Sequence, residues 1–304
     1  MKNTFHKLIN VTRPQLGMNG ECNCINCLNL HMNESTNFTI NLPEEIKDVV
    51  KITLSALEIP NTIYSISKIN KTNTFKIISN YNNIYIIEIP SGNYNIHELV
   101  EVINVIIHAT YNLDIYFMYD NITGRVVFFS NTLEFILDFG IPENDIKKSL
   151  GWMLGFKKHV YNNNMCCYNN SYLRSLDNSI KIKLKDNILC NNNICGYISE
   201  GSVDISGPRY LFIIINDYVV DDNKKNTYIN IENNQDNNIL ARVSIVNDKN
   251  QICFDNTSDN IPKCREYITP ITLNKLSIKL IDNLGQVVDL NNGEISLLLD
   301  VEHL

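Results

Sequence analysis

The sequence predicts a mainly β protein, built as an antiparallel sandwich or barrel. The composition is the first reason: 48 Asn favour turns, whereas the good helix formers Ala and Arg occur only 3 and 6 times. The second reason is periodicity, because apolar and polar residues alternate in many short segments. These segments recur at roughly 8 to 12 residues with turn signals between them, which is typical of antiparallel β folds.

Composition also limits the function. The chain has 304 residues, of which 44% are hydrophobic and 19% charged, with a formal net charge of −7. These values exclude a collagen-like or low-complexity chain and leave no basic surface for nucleic acid. A chain of this length can bury one large core or two smaller ones.

Targeting signals are not apparent in the sequence. The longest apolar run, Tyr210–Ile215, has the length of a strand and is far below the roughly 18 residues of a membrane span. Residues Met1–Asn10 lack the apolar stretch of a secretory signal. We therefore expect no membrane span, and we expect the nine cysteines to be free thiols.

Shifts in pattern along the chain predict four regions. Residues 1–37 have no steady period and are predicted to form a Cys-containing N-terminal arm. Residues 38–160 are predicted to form a β-rich lobe, and residues 180–304 a β-sandwich lobe. Between them, residues 161–179 hold Asn-rich and vicinal-Cys segments and are predicted to be a linker.

Two helices are predicted in the first lobe, near 95–109 and near 143–155. Asn95 is placed to cap the first helix, with Glu98 three residues later, and apolar residues then follow at helical spacing. The second helix follows Pro142.

Strands are predicted elsewhere from alternation. The final one is the clearest, because the tight-turn dipeptide Asn292-Gly293 precedes an alternating segment. In that segment Leu297, Leu299 and Val301 point to one face. The other predicted strands are 38–42, 52–56, 63–67, 74–79, 84–89, 115–119, 125–130, 180–185, 209–216, 228–231, 239–246 and 276–282.

One group of residues has the donors for a metal site. Cys22, Cys24, Cys27 and His31 supply three thiols and an imidazole within ten positions, enough for one tetrahedral zinc ion. The Cys-x-Cys pair does not repeat the usual two-residue knuckle, so unliganded thiols on an arm are the favoured alternative. Bound zinc would order the arm and perform no catalysis, because four protein ligands leave no open position.

Three further groups were considered as sites. His97, Glu101 and His108 lie on the first predicted helix, where a solvated polar face explains them better than catalysis. Asp217, Asp221 and Asp222 offer oxygen ligands for calcium but lack the helix-loop-helix pattern, and a solvated loop between two strands is the favoured explanation. The cysteine pairs, Cys166 with Cys167 and Cys190 with Cys195, are interpreted as ordinary side chains.

Several segments in order along the chain carry a family resemblance. In the first half they are Ile89–Tyr94, Thr123–Val126 and Leu150–Phe156. In the second half they are Pro208–Tyr218, Ile239–Val243, Arg265–Tyr267 with Pro270-Ile271, and Leu276–Asn291. Together they resemble minor capsid or penton-type proteins of nucleocytoplasmic large DNA viruses and virophages. The resemblance covers residues 38 to 304 and departs from the family pattern at Thr269, where the family has Gly.

The resemblance implies a jelly-roll β-sandwich and a structural, non-enzymatic role in an icosahedral virus capsid. It implies self-association, with a pentamer expected, and contacts with the major capsid protein and other minor capsid proteins. The implied location is the virion capsid, assembled in the host cytoplasm. The absence of phosphate-loop, dinucleotide and nucleophile-elbow motifs agrees with a protein that is not an enzyme and binds no cofactor. The alternative is a zinc-containing binding module with a lectin-like or receptor-like β-sandwich.

Overall fold

A computed structural model describes residues 4–12, 35–79, 83–130, 135–140, 145–162, 173–177, 180–185, 188–191, 194–226, 238–255 and 262–304. The chain divides into two compact units. Unit 1 comprises residues 1–64 and 208–304, and unit 2 comprises residues 65–207. None of the helices in the described ranges is both long and apolar enough to cross a bilayer.

The described residues form eighteen strands and two α-helices. They are β1 Phe5–Thr12, β2 Asn37–Pro60, β3 Thr74–Ser79, β4 Ile84–Glu88, α1 Ile96–Val105, β5 Ile115–Asp120, β6 Arg125–Ser130, β7 Phe135–Asp138, α2 Leu150–Met153, β8 Val160–Asn162, β9 Leu173–Asp177, β10 Ile180–Lys185, β11 Ile188–Asn191, β12 Ile194–Ile198, β13 Tyr210–Asn216, β14 Lys224–Asn226, β15 Ile239–Ser244, β16 Ile252–Asp255, β17 Cys264–Ile281 and β18 Ser296–His303. Short 3-10 helices span Ile146–Lys148 and Asp221–Asn223.

Unit 1 is a single eight-stranded antiparallel sheet. Its strand order is β1-β18-β2-β17-β13-β15, with β14 paired to β17 and β16 paired to β2. The long strands β2 and β17 carry most of the pairing, and shifts of register interrupt β17 between Glu266 and Lys275. The predicted mainly β fold of jelly-roll type, with antiparallel sheets and few helices, is confirmed.

The division into units differs from the predicted lobes 38–160 and 180–304. The reason is that β2, near the start of the chain, pairs with β17 and β18 at its end. The whole of unit 2 is therefore inserted between two parts of unit 1. In the predicted linker 161–179, residues 163–172 and 178–179 lie outside the described ranges, and Leu173–Asp177 form β9.

The predicted arm 1–37 is not irregular in its first part. Residues Phe5–Thr12 form β1 and pair with β18 in an unbroken antiparallel register. Val11 is fully buried in the core of unit 1. The partner strand β18 lies at the other end of the chain. The pairing that forms β1 therefore depends on distant residues, and no local sequence pattern predicts the strand.

Two of the predicted strands, 38–42 and 52–56, are parts of the single 24-residue strand β2. The interruption between them in the sequence corresponds to Asp48, whose φ is +54°. The predicted strand 63–67 is irregular and contributes only one bridge, from Ile66 to Gly92. The predicted strand 228–231 lies outside the described residues.

Unit 2 contains two antiparallel sheets and α1. One sheet has the order β5-β6-β12-β11-β10-β9, and the other has the order β4-β3-β7-β8. Its core is rich in aromatic side chains that contact one another at ring-centroid distances of 5.1 to 6.2 Å. The members of this cluster include Phe75, Phe117, Phe128, Phe139, Phe156 and Tyr161.

The helices follow the predicted capping signals only in part. At α1, Asn95 accepts from the Glu98 amide and the Glu98 carboxylate accepts from the Asn95 amide, both at 3.0 Å, which is a complete capping box. The second predicted helix, 143–155, is shorter: Ser149 caps the four-residue α2 and separates it from the 3-10 turn Ile146–Lys148. Residues 141–144 of that prediction lie outside the described ranges.

Candidate functional site

The predicted zinc ligands Cys22, Cys24, Cys27 and His31 lie outside the described residues, so zinc binding stays a prediction. Cys166 and Cys167 lie outside them as well. Cys190 and Cys195 occupy directly paired register positions on β11 and β12. Within the described ranges, no group of three or more His, Cys, Asp or Glu side chains is arranged to hold a metal ion.

Three polar residues on and just after α1 line one shallow groove, namely His97, Glu101 and His108. The His97 ring contacts Tyr119 edge-on at 5.3 Å, whereas the His108 ring contacts Tyr116 at 4.7 Å. Each imidazole is therefore packed against a different aromatic ring of β5.

Asp217 is the centre of a buried ion cluster in unit 1, which corrects both sequence interpretations of this residue. Its Oδ2 accepts from the Arg265 guanidinium at 2.6 Å and from the Tyr267 hydroxyl at 2.5 Å. Its Oδ1 lies 2.7 Å from the Lys224 ammonium and accepts from the Val219 amide at 3.0 Å. A carboxylate occupied by two cations is neither a calcium ligand nor part of a solvated loop.

Strand geometry brings this cluster together. Asp217 directly follows β13, while Arg265 and Tyr267 are two residues apart on β17 and therefore point to the same side. Lys224 lies on β14 opposite Tyr267 in the register. The Arg265 guanidinium also donates to the carbonyls of Ile215 at 2.7 Å and Asn238 at 2.8 Å, so its donors are well satisfied.

The cluster contains one anion and two cations, and these charges shift the pKa values of Asp217 and Tyr267. Burial by itself raises the pKa of Asp217, but the charge of Arg265 and the hydrogen bonds from Lys224 and Tyr267 outweigh it, so the pKa is lowered. Burial, followed by the charge of Asp217, raises the pKa of Tyr267. At neutral pH the carboxylate is therefore ionised and the phenol is protonated.

Three exposed apolar side chains lie close to the cluster residues in the chain, and we call Tyr218, Val220 and Ile268 the loop surface; the Lys275 ammonium lies 4.5 Å from the centre of the Tyr218 ring. All three side chains are exposed, although Tyr218 directly follows the buried Asp217. Tyr218 has a φ of +62°, a strained conformation for a residue with a side chain. Asn223 ties the loop to β17 by accepting from the Thr269 amide at 2.8 Å. Exposed apolar groups on a rigid support are typical of a protein contact surface.

One feature of the sequence points to the buried ion cluster. Arg265 and Tyr267 are two residues apart on one strand, so both side chains point to the buried face of the sheet. A charged residue on that face requires a buried partner. The partner, however, is 48 residues away along the chain. Sequence spacing therefore could not identify Asp217 as that partner.

Comparison with known proteins gives similarity in structure but not in sequence. No protein-family model matches the chain, and no curated protein sequence matches it. The chain is similar to the mavirus penton protein, with a TM-score of 0.42 and 9% identity over 100% of both chains. It is also similar to a chain of the Sputnik virophage structure, with a TM-score of 0.42 and 11% identity over 100% of this chain and 98% of that one.

Proposed function

We propose that this protein is a structural component of an icosahedral virus capsid, as a vertex penton subunit or a minor capsid protein. One observation carries the proposal. Asp217 belongs to the capsid-like segment Pro208–Tyr218, and Arg265 and Tyr267 belong to a second capsid-like segment. These two distant segments meet in one buried ion cluster. The resemblance in these segments therefore includes residues that form part of the core of unit 1.

The other capsid-like segments also coincide with special features of the fold. Thr123–Val126 contains Gly124, which has a φ of +68° in the turn before β6. Leu150–Phe156 contains Gly151, where an added Cβ would lie 2.4 Å from the Phe139 ring. In Leu276–Asn291, the Asp282 carboxylate accepts from the Leu284 amide at 2.8 Å and shapes the following turn. The resemblance therefore follows residues that the fold requires.

In this proposal the β-sheets form a rigid body and the loop surface contacts neighbouring proteins. The partners are other copies of this chain, the major capsid protein and other minor capsid proteins. The protein performs no catalysis and is located in the virion capsid after assembly in the host cytoplasm. The formal charge of −7 and the scarcity of Arg agree with contacts to protein instead of nucleic acid.

The first test is the solution mass of the purified chain, combined with electron microscopy of the same sample. Five copies of the 34.9-kDa chain would give a particle of about 175 kDa with five-fold views, which supports the vertex role. A monomer that co-sediments with assembled major capsid protein supports the minor capsid role. A monomer that does not bind these particles contradicts both forms of the proposal.

Loop-surface variants make this test specific. Val220→Asp and Ile268→Asp place a charge on the loop surface and should weaken binding to capsid particles without unfolding the chain. Ile122→Asp is the matched control, because Ile122 is also exposed but lies in the turn between β5 and β6. Equal binding by all three variants would exclude the loop surface as the contact.

The alternative function is a zinc-containing binding module with a lectin-like or receptor-like sandwich, and its support is the four donors Cys22, Cys24, Cys27 and His31 within ten positions. Zinc analysis of the purified protein separates the two functions. One zinc per chain, combined with loss of partner binding in Cys24→Ser, supports the alternative. A chain that enters capsids equally well with and without zinc supports the capsid role.

A further inference from the structure

The four-stranded sheet of unit 2 has an unusual outward face, which we call the outer sheet face. The inward residues of this sheet, such as Phe75, Ile77 and Leu137, are buried in the core. The outward positions would be polar in an ordinary half-exposed antiparallel sheet. Here five of the ten are aliphatic, and Ile84, Ile86 and Val160 are 62%, 55% and 50% exposed.

Strand register arranges these side chains in two rows across the sheet. The first row contains Ile84, Ile78, Ile136 and Asn162, on β4, β3, β7 and β8 respectively. The second row contains Ile86, Lys76, Asp138 and Val160 in the same strand order. Three isoleucines therefore lie side by side, next to a row whose two central members are a cation and an anion.

We propose that the outer sheet face pairs with the same face of a second copy of this chain. The twofold axis would run parallel to the strands, between β3 and β7. This rotation places each β3 residue over the β7 residue of its own row in the partner copy. Lys76 then faces the other copy's Asp138, Ile78 faces its Ile136, and Ile86 faces its Val160.

The charges select this arrangement from the alternatives. A twofold axis perpendicular to the strands at the second row would place Lys76 over the Lys76 of the other copy, with like charges in contact. Placed between the rows, the same axis would put Lys76 and Asp138 over isoleucines, so that each charge would be buried against an apolar group of the other copy. The axis parallel to the strands instead matches three facing pairs, Lys76 with Asp138, Ile78 with Ile136 and Ile86 with Val160, and leaves Ile84 over Asn162.

The size of the face sets the expected affinity. Four strands about 4.8 Å apart give a face roughly 15 to 20 Å wide, and two rows about 7 Å apart along the strands make it roughly 10 to 15 Å long. The resulting area of roughly 150 to 300 Å² is well below the ~800 Å² per partner of a standard interface. We therefore expect weak pairing, detectable near millimolar concentration or where other contacts already hold copies close together. The inference is independent of the capsid proposal, because it concerns a different surface and a different measurement.

Sedimentation equilibrium of the full chain, from about 10 μM to about 1 mM, tests the pairing. The weight-average mass should rise with concentration from that of the dilute species toward twice that value. Lys76→Glu and Asp138→Lys should each weaken association by about tenfold or more, because each places like charges face to face. An equimolar mixture of the two variants should restore association, since every facing pair in the mixed dimer is again opposite in charge.

Ile78→Asp should also abolish the mass increase, whereas Ile122→Asp, outside the outer sheet face, should leave it unchanged. Thermal unfolding of each variant confirms that the chain remains folded. A mass that stays constant up to 1 mM overturns the inference. Association of Lys76→Glu at the wild-type level, or failure of the variant mixture to restore it, overturns it equally.

Discussion

Arg265 and Asp217 form a buried ion pair with 2.6 Å between the guanidinium and the carboxylate, although 48 residues separate them in the chain. Both side chains are almost completely excluded from solvent. The pair connects β17 to the end of β13 and holds the loop that carries Tyr218 and Val220. This geometry links a core interaction of unit 1 to the surface that we propose as a contact with capsid neighbours.

Replacing Arg265 should destabilise the protein strongly. Arg265→Leu removes one of the two cations that contact the buried Asp217 carboxylate, and it removes the donor to the Ile215 and Asn238 carbonyls. Removal of one member of a buried pair typically costs about 3 to 5 kcal/mol. Urea unfolding measures the loss. Arg242→Leu is the matched control, because Arg242 is exposed and lies 3.9 Å from the Tyr210 ring centre. It should cost about 1 kcal/mol or less, and equal losses would contradict the role of the cluster.

Acid should remove the contribution of Asp217. Its pKa is lowered in the folded state, so the unfolded chain binds more protons near pH 4 and stability rises with pH there. The contribution is fully present above the ordinary Asp pKa of about 4 and is lost as the pH falls through the lower folded value. The difference in unfolding free energy between wild type and Asp217→Asn should therefore shrink as the pH falls from about 5 to 2.

Asp289 provides a control of opposite sign for this titration. Burial raises the pKa of Asp289, with the Asn291 amide opposing the shift, so the folded chain binds more protons and stability falls as the pH rises. The difference between wild type and Asp289→Asn should therefore decrease with increasing pH. If the stability differences of Asp217→Asn and Asp289→Asn changed with pH in the same direction, the buried ion cluster would not be the cause of the pH dependence at Asp217.

Asn104 should protect the outer edge of β5. Its side-chain amide donates to the Phe117 carbonyl and its oxygen accepts from the Phe117 amide, both at 2.8 Å, as a neighbouring strand would. Asn104→Ala leaves both backbone groups without these partners and should cost about 1 to 3 kcal/mol. Hydrogen exchange at the Phe117 amide should accelerate. Asn104→Asp keeps the acceptor and should protect that amide better than Ala does.

Gly151 should tolerate no side chain. A Cβ there would meet three Phe139 atoms at 2.4 to 2.8 Å, and Phe139 itself is fixed in the aromatic core. Gly151→Ala should therefore cost about 1 to 3 kcal/mol through overpacking, measured by thermal or urea unfolding. At Gly92 the nearest atom is 3.4 Å from the added Cβ, so Gly92→Ala should change stability by about 0.5 kcal/mol or less. A neutral Gly151→Ala would contradict the tight packing.

Local sequence signals predicted several elements correctly. The capping residues Asn95 and Glu98 predicted the start of α1, and the alternation of Leu297, Leu299 and Val301 predicted β18 and its buried face. The strands 74–79 and 125–130 match β3 and β6 at every residue. In each case the signal and the structure depend on neighbours within a few residues. The second helix was predicted too long because Ser149 caps a new turn inside it.

The sequence by itself determined the antiparallel β class and the capped helix α1, because these depend on composition, periodicity and short motifs. Tertiary structure alone decided the pairing of β1 with β18, the insertion of unit 2, the Asp217 cluster and the rows of the outer sheet face. The physical reason is that strand pairing and ion pairing act between groups close in space. Residues from opposite ends of the chain, such as Phe5 and His303, are paired in this fold without any local pattern that marks them as partners.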